Sequence, residues 1–177
     1  MENARDDLFK DVEFYKTFYR HNLFNVYGRT TPSLRAMIID LWQRNNILPA
    51  GVDLEQRAHQ VAMMAVRETG ELGGVSTVFV GRLSRAGLYD PDDAPYYFYR
   101  MFIQPEDRVP ELMFAMTDGT YELLRDFCFE GEKPAGLVFI AENPSLVRRG
   151  MKRKLDRRGY VSIGQNHVGQ GVFLRRF

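Results

Sequence analysis

YYFYRMFIQP, residues 96–105, is the most strand-like stretch of the sequence. Aromatic and branched apolar side chains favour a pleated, half-buried surface, and Arg100 is the one charged residue between Tyr96 and Ile103. Pro105 lacks a backbone N–H and closes the run. The pattern predicts a strand over 96–103.

Apolar runs on either side of this strand predict its neighbours. Residues 61–66 and 75–80 are separated by a glycine-bearing turn and predict an antiparallel hairpin. Residues 137–141 are wholly apolar, which indicates a strand buried on both faces. Between the strand 96–103 and the run 137–141, helical spacing over 107–129 predicts the longest helix, with Asp107 as its cap.

The complete order of elements gives the fold class. It reads α, β, α, β-β-β, α, β, α, β-β and predicts an α/β (α+β) fold with a mixed, mostly antiparallel seven-stranded sheet and helices on both faces. We expect one domain over 1–177, with 1–22 as a helical N-terminal extension. The other predicted elements are a helix over 8–20, a strand over 24–27, a helix after Thr31-Pro32, a helix from Asn143-Pro144 to Gly159, and strands over 160–163 and 172–177.

Composition narrows the function classes. The chain has 24 Lys and Arg against 23 Asp and Glu, so a basic site for nucleic acid has to be local. No set of Cys and His has zinc-ligand spacing, so we expect no metal, and the single Cys128 is expected to be buried and inert. No apolar run reaches the roughly 20 residues that span a bilayer, and the N-terminus is acidic, so we expect a cytoplasmic protein without membrane contact.

Three segments carry a resemblance to a known family. Tyr99–Pro105, Leu137–Pro144 and Lys152–Tyr160 resemble, in order and spacing, the central strand, the following strand with its Asn-led helix, and the last helix of the GNAT superfamily of acyl-CoA N-acyltransferases. The resemblance covers residues 23–177. It implies transfer of an acyl group from acetyl-CoA, or another acyl-CoA, to a primary amine by direct attack.

Two positions depart from the family pattern. The family's pyrophosphate loop is rich in glycine, because glycines let backbone N–H groups approach phosphate. Here residues 108–113 read Arg-Val-Pro-Glu-Leu-Met, so Arg108 matches the first position and both glycines are missing. Leu155 stands where the family often has a tyrosine that protonates the leaving thiolate.

These departures leave other functions open. One is an acyl-amino-acid or autoinducer-synthase-like enzyme, and another is an enzyme that modifies nucleic acid. A third is a binding protein without catalysis on the same fold.

The resemblance also implies site residues. The thioester would lie where the strands 96–103 and 136–141 part, with its carbonyl on the backbone near Met101, Phe102 and Ile103. Arg108 would meet the pyrophosphate. Asn143 would contact the cofactor, although capping the following helix explains this residue better.

Acid–base chemistry needs a carboxylate near the amine. Glu68 and Glu142 are the candidates for the general base, each also readable as a solvated surface carboxylate. Arg100 either faces water in an ion pair or binds a substrate carboxylate or phosphate, because a charge in an apolar strand needs one or the other.

The basic run at 148–158 is the clearest charge feature, with seven Lys or Arg against one Asp. It is either a solvated helix face or a site for a polyanion. As a site, Arg149 and Arg153 would hold the 3′-phosphate of CoA, or the run would bind nucleic acid. The aromatic face of the predicted helix 8–20 is a candidate surface for a homodimer.

Overall fold

The structure is a computed structural model and describes residues 8–177. The described part contains four α-helices, eight strands and three short 3₁₀ turns. The helices are α1 Pro32–Arg44, α2 Leu54–Ala58, α3 Leu112–Asp126 and α4 Arg149–Asp156. The strands are β1 Glu13–Phe18, β2 His21–Asn25, β3 Val61–Arg67, β4 Leu72–Arg82, β5 Pro95–Ile103, β6 Gly136–Ile140, β7 Val161–Gln165 and β8 Gly171–Arg176.

The strands form one mixed sheet in the order β1-β2-β3-β4-β5-β6-β8-β7. β5 and β6 run parallel. The pairs β1–β2, β2–β3, β3–β4, β6–β8 and β7–β8 run antiparallel. The predicted α/β class with a mostly antiparallel mixed sheet is therefore confirmed, with eight strands instead of seven.

The additional strand replaces the helix predicted over 8–20, and that prediction was wrong. Residues 13–18 pair with β2 in an antiparallel ladder that has a bulge between Phe14 and Lys16. The phenol of Tyr15 donates to Glu122 at 2.9 Å, which fixes β1 on α3. Burial and this hydrogen bond raise the pKa of Tyr15 to about 12. Aromatic residues suit a strand as well as a helix face, and the partner strand decides the outcome.

Two compact units are present, and each has its own core. The first spans the chain up to Thr77 together with Met101–Leu124. In it, Leu34, Ile38 and Leu41 of α1 are fully buried and belong to one cluster with residues of β3 and β4. The side chain of Thr31 accepts a hydrogen bond from the N–H of Leu34 at 3.3 Å, so α1 begins where its sequence predicts.

The second unit contains Val78–Arg100 and Arg125–Phe177. Its core includes the buried side chains of Tyr96, Val138 and Leu174, from β5, β6 and β8. The parallel and antiparallel ladders of β6 place these side chains in one layer.

Three local predictions need correction. Asp107 does not cap α3, because it lies in a 3₁₀ turn and the helix begins only at Leu112. The helix predicted from Asn143 is interrupted, since a 3₁₀ turn, Pro144–Val147, precedes α4. Cys128 is exposed, because the helix ends at Asp126 and leaves it in a loop.

No helix among residues 8–177 is long and apolar enough to cross a membrane.

Candidate functional site

The parallel pairing of β5 and β6 is short, and it stops inside the second unit. It joins Tyr97 to Leu137, Phe98 to Val138 and Tyr99 to Phe139. β5 nevertheless continues to Ile103 and β6 to Ile140. Beyond Tyr99 and Phe139 the two strands therefore no longer share a ladder, which leaves backbone groups of both strands for other partners.

Two predicted catalytic residues meet at this point. Arg100 follows the last paired residue of β5, and Glu142 lies two residues beyond the end of β6. The guanidinium Nη2 of Arg100 is 3.5 Å from Oε1 of Glu142. Both side chains are more than half exposed, at 56% and 61%, so this pair is reachable by a ligand and contributes little to stability.

A cavity of about 330 Å³ opens beside Glu142 in the second unit. Its polar lining residues include Glu142, Lys152 and Ser162. Apolar walls come from Ala141 and Phe173. The remaining lining residues are Pro144, Val147, Gly164, Gln165, Gly169, Gln170 and Gly171.

Asn143 acts as a local cap in this structure. Its Oδ1 accepts a hydrogen bond from the N–H of Ser145 at 2.9 Å, at the start of the 3₁₀ turn. Asn143 is therefore a cap, as one of the two interpretations of the sequence predicted, and its side chain is exposed. A cofactor contact through its remaining NH₂ group stays a prediction.

The basic face of α4 is exposed. Arg149 and Arg153 lie four residues apart on the helix, so their side chains share one face. Neither forms an ion pair with any residue in the described part of the chain. The seven Lys and Arg residues at 148–158 produce a local positive potential, which attracts anions.

The sequence matches residues 108–113 to the family's phosphate loop, and the backbone at the start of this segment is engaged locally. The N–H groups of Asp107, Arg108 and Val109 donate to the carbonyls of Gln104, Pro105 and Asp107. Pro110 has no N–H. These residues therefore do not offer the row of backbone donors that holds a pyrophosphate in a glycine-rich loop.

The same segment is held by a buried charge network in the first unit. The imidazole Nε2 of His21 lies 2.8 Å from Oδ1 of Asp107. Arg67 donates to Asp107 through Nε at 2.8 Å and through Nη2 at 2.6 Å, and also to the exposed Glu71 and Glu106. Its carboxylate partners raise the pKa of Arg67.

Gly73 makes room for this network. A Cβ at this position would lie 2.8 Å from Cγ of Asp107, closer than side chains tolerate. The carboxylate of Asp107 therefore packs directly on the backbone of β4. Burial raises the pKa of Asp107. Hydrogen bonds from Arg67 and His21 lower it by more than burial raises it, so the pKa lies below its ordinary value.

The remaining predicted site residues lie in the first unit. Met101 and Phe102 are half-buried and pack on two different core clusters, and Ile103 is buried. The Nε of Arg108 donates to the carbonyl of Ile103 at 3.1 Å, while the side chain stays exposed. Glu68 is exposed in the β3–β4 turn, where its N–H donates to the carbonyl of Arg20.

The sequence therefore indicated Arg100 and Glu142 as separate candidates and did not pair them. It did not indicate Lys152 as a cavity residue. It also missed the network of His21, Arg67 and Asp107. No group of three or more His, Cys, Asp or Glu suited to a metal ion occurs within residues 8–177.

Comparison with known proteins supports the fold. No family model matches the sequence, and no curated protein matches it. A GNAT-family acetyltransferase from Streptococcus agalactiae superposes with a TM-score of 0.60 at 15% identity, covering 93% of this chain and 99% of that chain. NAA60 from Arabidopsis thaliana, solved in complex with acetyl-CoA, has a TM-score of 0.54 at 13% identity, covering 83% and 95%.

A third solved structure, described as a bacterial toxin, has a TM-score of 0.55 at 15% identity, covering 86% of this chain and 88% of that chain. At such identities the likeness concerns the fold. The chain has the acyl-CoA N-acyltransferase fold of the GNAT family, as the three sequence segments predict.

Proposed function

We propose that this chain transfers an acyl group from a thioester donor, an acyl-CoA such as acetyl-CoA, to a primary amine. The observation that carries the proposal is the short ladder between β5 and β6, which ends at Tyr99 and Phe139. An extended ligand can lie along two parallel strands beyond the point where their ladder ends. The pantetheine arm of CoA, with its two amide groups, is such a ligand.

The reaction follows from the groups beside this point. The amine nitrogen attacks the thioester carbonyl carbon, a C–N bond forms, and the carbonyl oxygen becomes an oxyanion that backbone N–H groups stabilise, the role that the family resemblance implies for Met101, Phe102 and Ile103. The C–S bond then breaks. Glu142 receives the proton of the attacking amine, and the thiolate leaves and takes a proton from water, since Leu155 supplies none.

Arg100 positions Glu142 in this scheme. Its guanidinium lies 3.5 Å from Oε1 of Glu142 and orients the carboxylate at the end of β6. Glu68 remains the second candidate for the base. It is carried by the β3–β4 turn of the first unit.

The nucleotide part of the donor is held by side chains in this proposal. The backbone N–H groups of residues 107–109 are already used, so Arg108 meets the pyrophosphate through its guanidinium. Arg149 and Arg153 supply charge for the 3′-phosphate, and Asn143 precedes them in the turn before α4. We expect weaker CoA binding than a glycine-rich loop gives. The cytoplasmic location and the homodimer stay predictions.

Acyl transfer is tested with the purified chain. Native mass spectrometry shows whether CoA is retained, and calorimetry with acetyl-CoA and longer acyl-CoAs measures binding. A thiol-release assay with a panel of primary amines measures turnover. Binding followed by amine-dependent thiol release is the expected result, and failure to bind any acyl-CoA contradicts the proposal.

A second candidate is a binding protein that performs no catalysis. It is favoured by the buried Leu155, at 2% exposure, in the position of the family's acid. Carboxylates also surround the segment that would meet phosphate. Binding of acyl-CoA without thiol release under any amine would support this candidate over the enzyme.

A further inference from the structure

We propose that the cavity beside Glu142 selects an acceptor that carries both an amine and a carboxylate, that is, an amino acid or a close analogue. This inference rests on the proposed function, and it names the class of acceptor. It is drawn from two charged residues that line the cavity, Glu142 and Lys152. Glu142 forms an ion pair with Arg100, whereas Lys152 forms none within residues 8–177.

The anionic side of the cavity is Glu142. Its carboxylate already faces Arg100 at 3.5 Å, longer than a hydrogen bond between charged groups, and it is 61% exposed. An incoming ammonium group can therefore approach the same carboxylate without displacing a buried partner. The ammonium group loses one proton to water before the attack, and Glu142 receives the second proton as the C–N bond forms.

The cationic side is Lys152. This residue is on α4 and lines the cavity, and its ammonium group has no ion pair or hydrogen bond with any residue from 8 to 177. A strongly hydrated ammonium group at the edge of a concave site is a receptor for an anion. A carboxylate is the anion that an acceptor can carry together with its amine.

The walls leave space for a small molecule. Gly164 and Gly169 line the cavity in left-handed backbone conformations, with φ of +134° and +81°, so these positions carry no side chain. A Cβ at Gly171 would lie 3.2 Å from Cγ1 of Val147, which shows how closely the apolar wall is packed there. The volume of about 330 Å³ is at the small end of ligand sites.

The polar wall is held in place. The side-chain NH₂ of Asn166 donates to Oε1 of Gln170 at 2.9 Å, and Oδ1 of Asn166 accepts from the N–H of Gln170 at 2.9 Å. The β7–β8 turn is thereby braced from within. A braced turn costs less ordering entropy when a ligand binds.

The test compares amino acids with their own carboxamides. Each standard L-amino acid and its amide is titrated into the chain by calorimetry without any acyl-CoA. Lys152→Met removes the proposed carboxylate receptor, and Lys152→Arg keeps the charge. Lys10→Met is the matched control, since Lys10 is an exposed lysine outside both candidate sites.

We expect at least one amino acid to bind wild type about tenfold more tightly than its amide, which is the size of one charge-assisted contact. Lys152→Met abolishes the preference, Lys152→Arg retains most of it, and Lys10→Met leaves it unchanged. Equal affinity for acid and amide, or a preference that survives Lys152→Met, overturns the inference. So does the absence of binding by every amino acid.

The two proposals fail in distinguishable ways. Amino acid binding is measured without a thioester, so it persists if the chain transfers no acyl group. Conversely, thiol release with simple alkylamines at the same kcat/KM as with amino acids leaves the acyltransferase proposal intact and refutes the acceptor class.

Discussion

His21 and Asp107 are 86 residues apart in the chain, yet the imidazole Nε2 lies 2.8 Å from the carboxylate Oδ1, and both side chains are buried. Arg67 completes the network from the end of β3. The carboxylate thus links the segment after β5 to β2 and β3. A buried carboxylate with two such partners is costly to disturb, because removing one charge leaves the others uncompensated.

The first prediction concerns the stability of this network. Asp107→Asn keeps the shape and removes the charge, so we expect the free energy of unfolding to fall by about 3 kcal/mol. Urea denaturation followed by circular dichroism measures it. The control is Glu71→Gln, an exposed partner of the same Arg67, for which we expect a loss of about 0.5 kcal/mol or less. Equal effects of the two variants would contradict the buried network.

The second prediction concerns pH. The folded pKa of Asp107 lies below its unfolded value of about 3.9, so its contribution to stability is complete above pH 4 and is lost as the pH falls through the folded pKa. The difference in unfolding free energy between wild type and Asp107→Asn should therefore be constant above about pH 5 and shrink below pH 4. Urea titrations at several pH values test this. A difference that grows on acidification would reverse the sign and refute the assignment.

Sequence patterns predicted well wherever a local rule decides the structure. Thr31-Pro32 starts α1 as expected, because a capping side chain and a proline act on the nearest turn. The strand 96–103 was found to one residue, as Pro95–Ile103, because its side chains match a strand in any context. α2 was missed, since its five residues carry little periodicity.

Strand pairing and packing contacts, which residue spacing does not encode, explain the errors. Residues 8–20 fit a helix by spacing, but residues 13–18 pair with β2 in a hairpin and form a strand. Gly119 is also not explained by local propensity, because glycine is a weak helix former. A Cβ there would lie 2.5 Å from Cε of Met63 and 2.7 Å from Cε1 of Tyr15, so both side chains would have to shift. The cavity at Glu142 and Lys152 is likewise invisible in the sequence, because three separate segments form it.

The third prediction concerns the general base. Glu142→Gln should lower kcat for acyl transfer about a hundredfold with little change in KM for the donor, because the carboxylate acts on the amine. The matched control is Glu132→Gln, another exposed carboxylate of the second unit paired with an arginine, Arg82, at 3.2 Å. Loss of turnover in Glu68→Gln with full activity in Glu142→Gln would move the base to Glu68.

The fourth prediction concerns the charges of α4. The double variant Arg149→Glu and Arg153→Glu should weaken acyl-CoA binding about tenfold at low salt, and the effect should shrink near 1 M salt, where the Debye length is about 3 Å. Calorimetry with CoA and 3′-dephospho-CoA measures the contact: wild type should prefer CoA and the variant should not. Lys10→Glu with Lys133→Glu gives the same change in net charge away from α4 and should keep the preference.

The same double variant separates CoA from nucleic acid as the anion that α4 binds. A polyanion releases condensed counterions, so its affinity for wild type would fall steeply and linearly with salt on logarithmic axes, with a slope set by the number of phosphates contacted. A single 3′-phosphate has no condensed counterions to release and gives only a shallow dependence. The salt dependence is measured by fluorescence titration of single-stranded and duplex DNA in 50 mM and 200 mM salt. Over roughly this range, binding that depends on several phosphate contacts loses orders of magnitude in affinity. Two results together would assign α4 to nucleic acid: a steep slope that disappears in the double variant, and equal binding of CoA and dephospho-CoA by wild type. Arg149 and Arg153 would then not belong to the donor site.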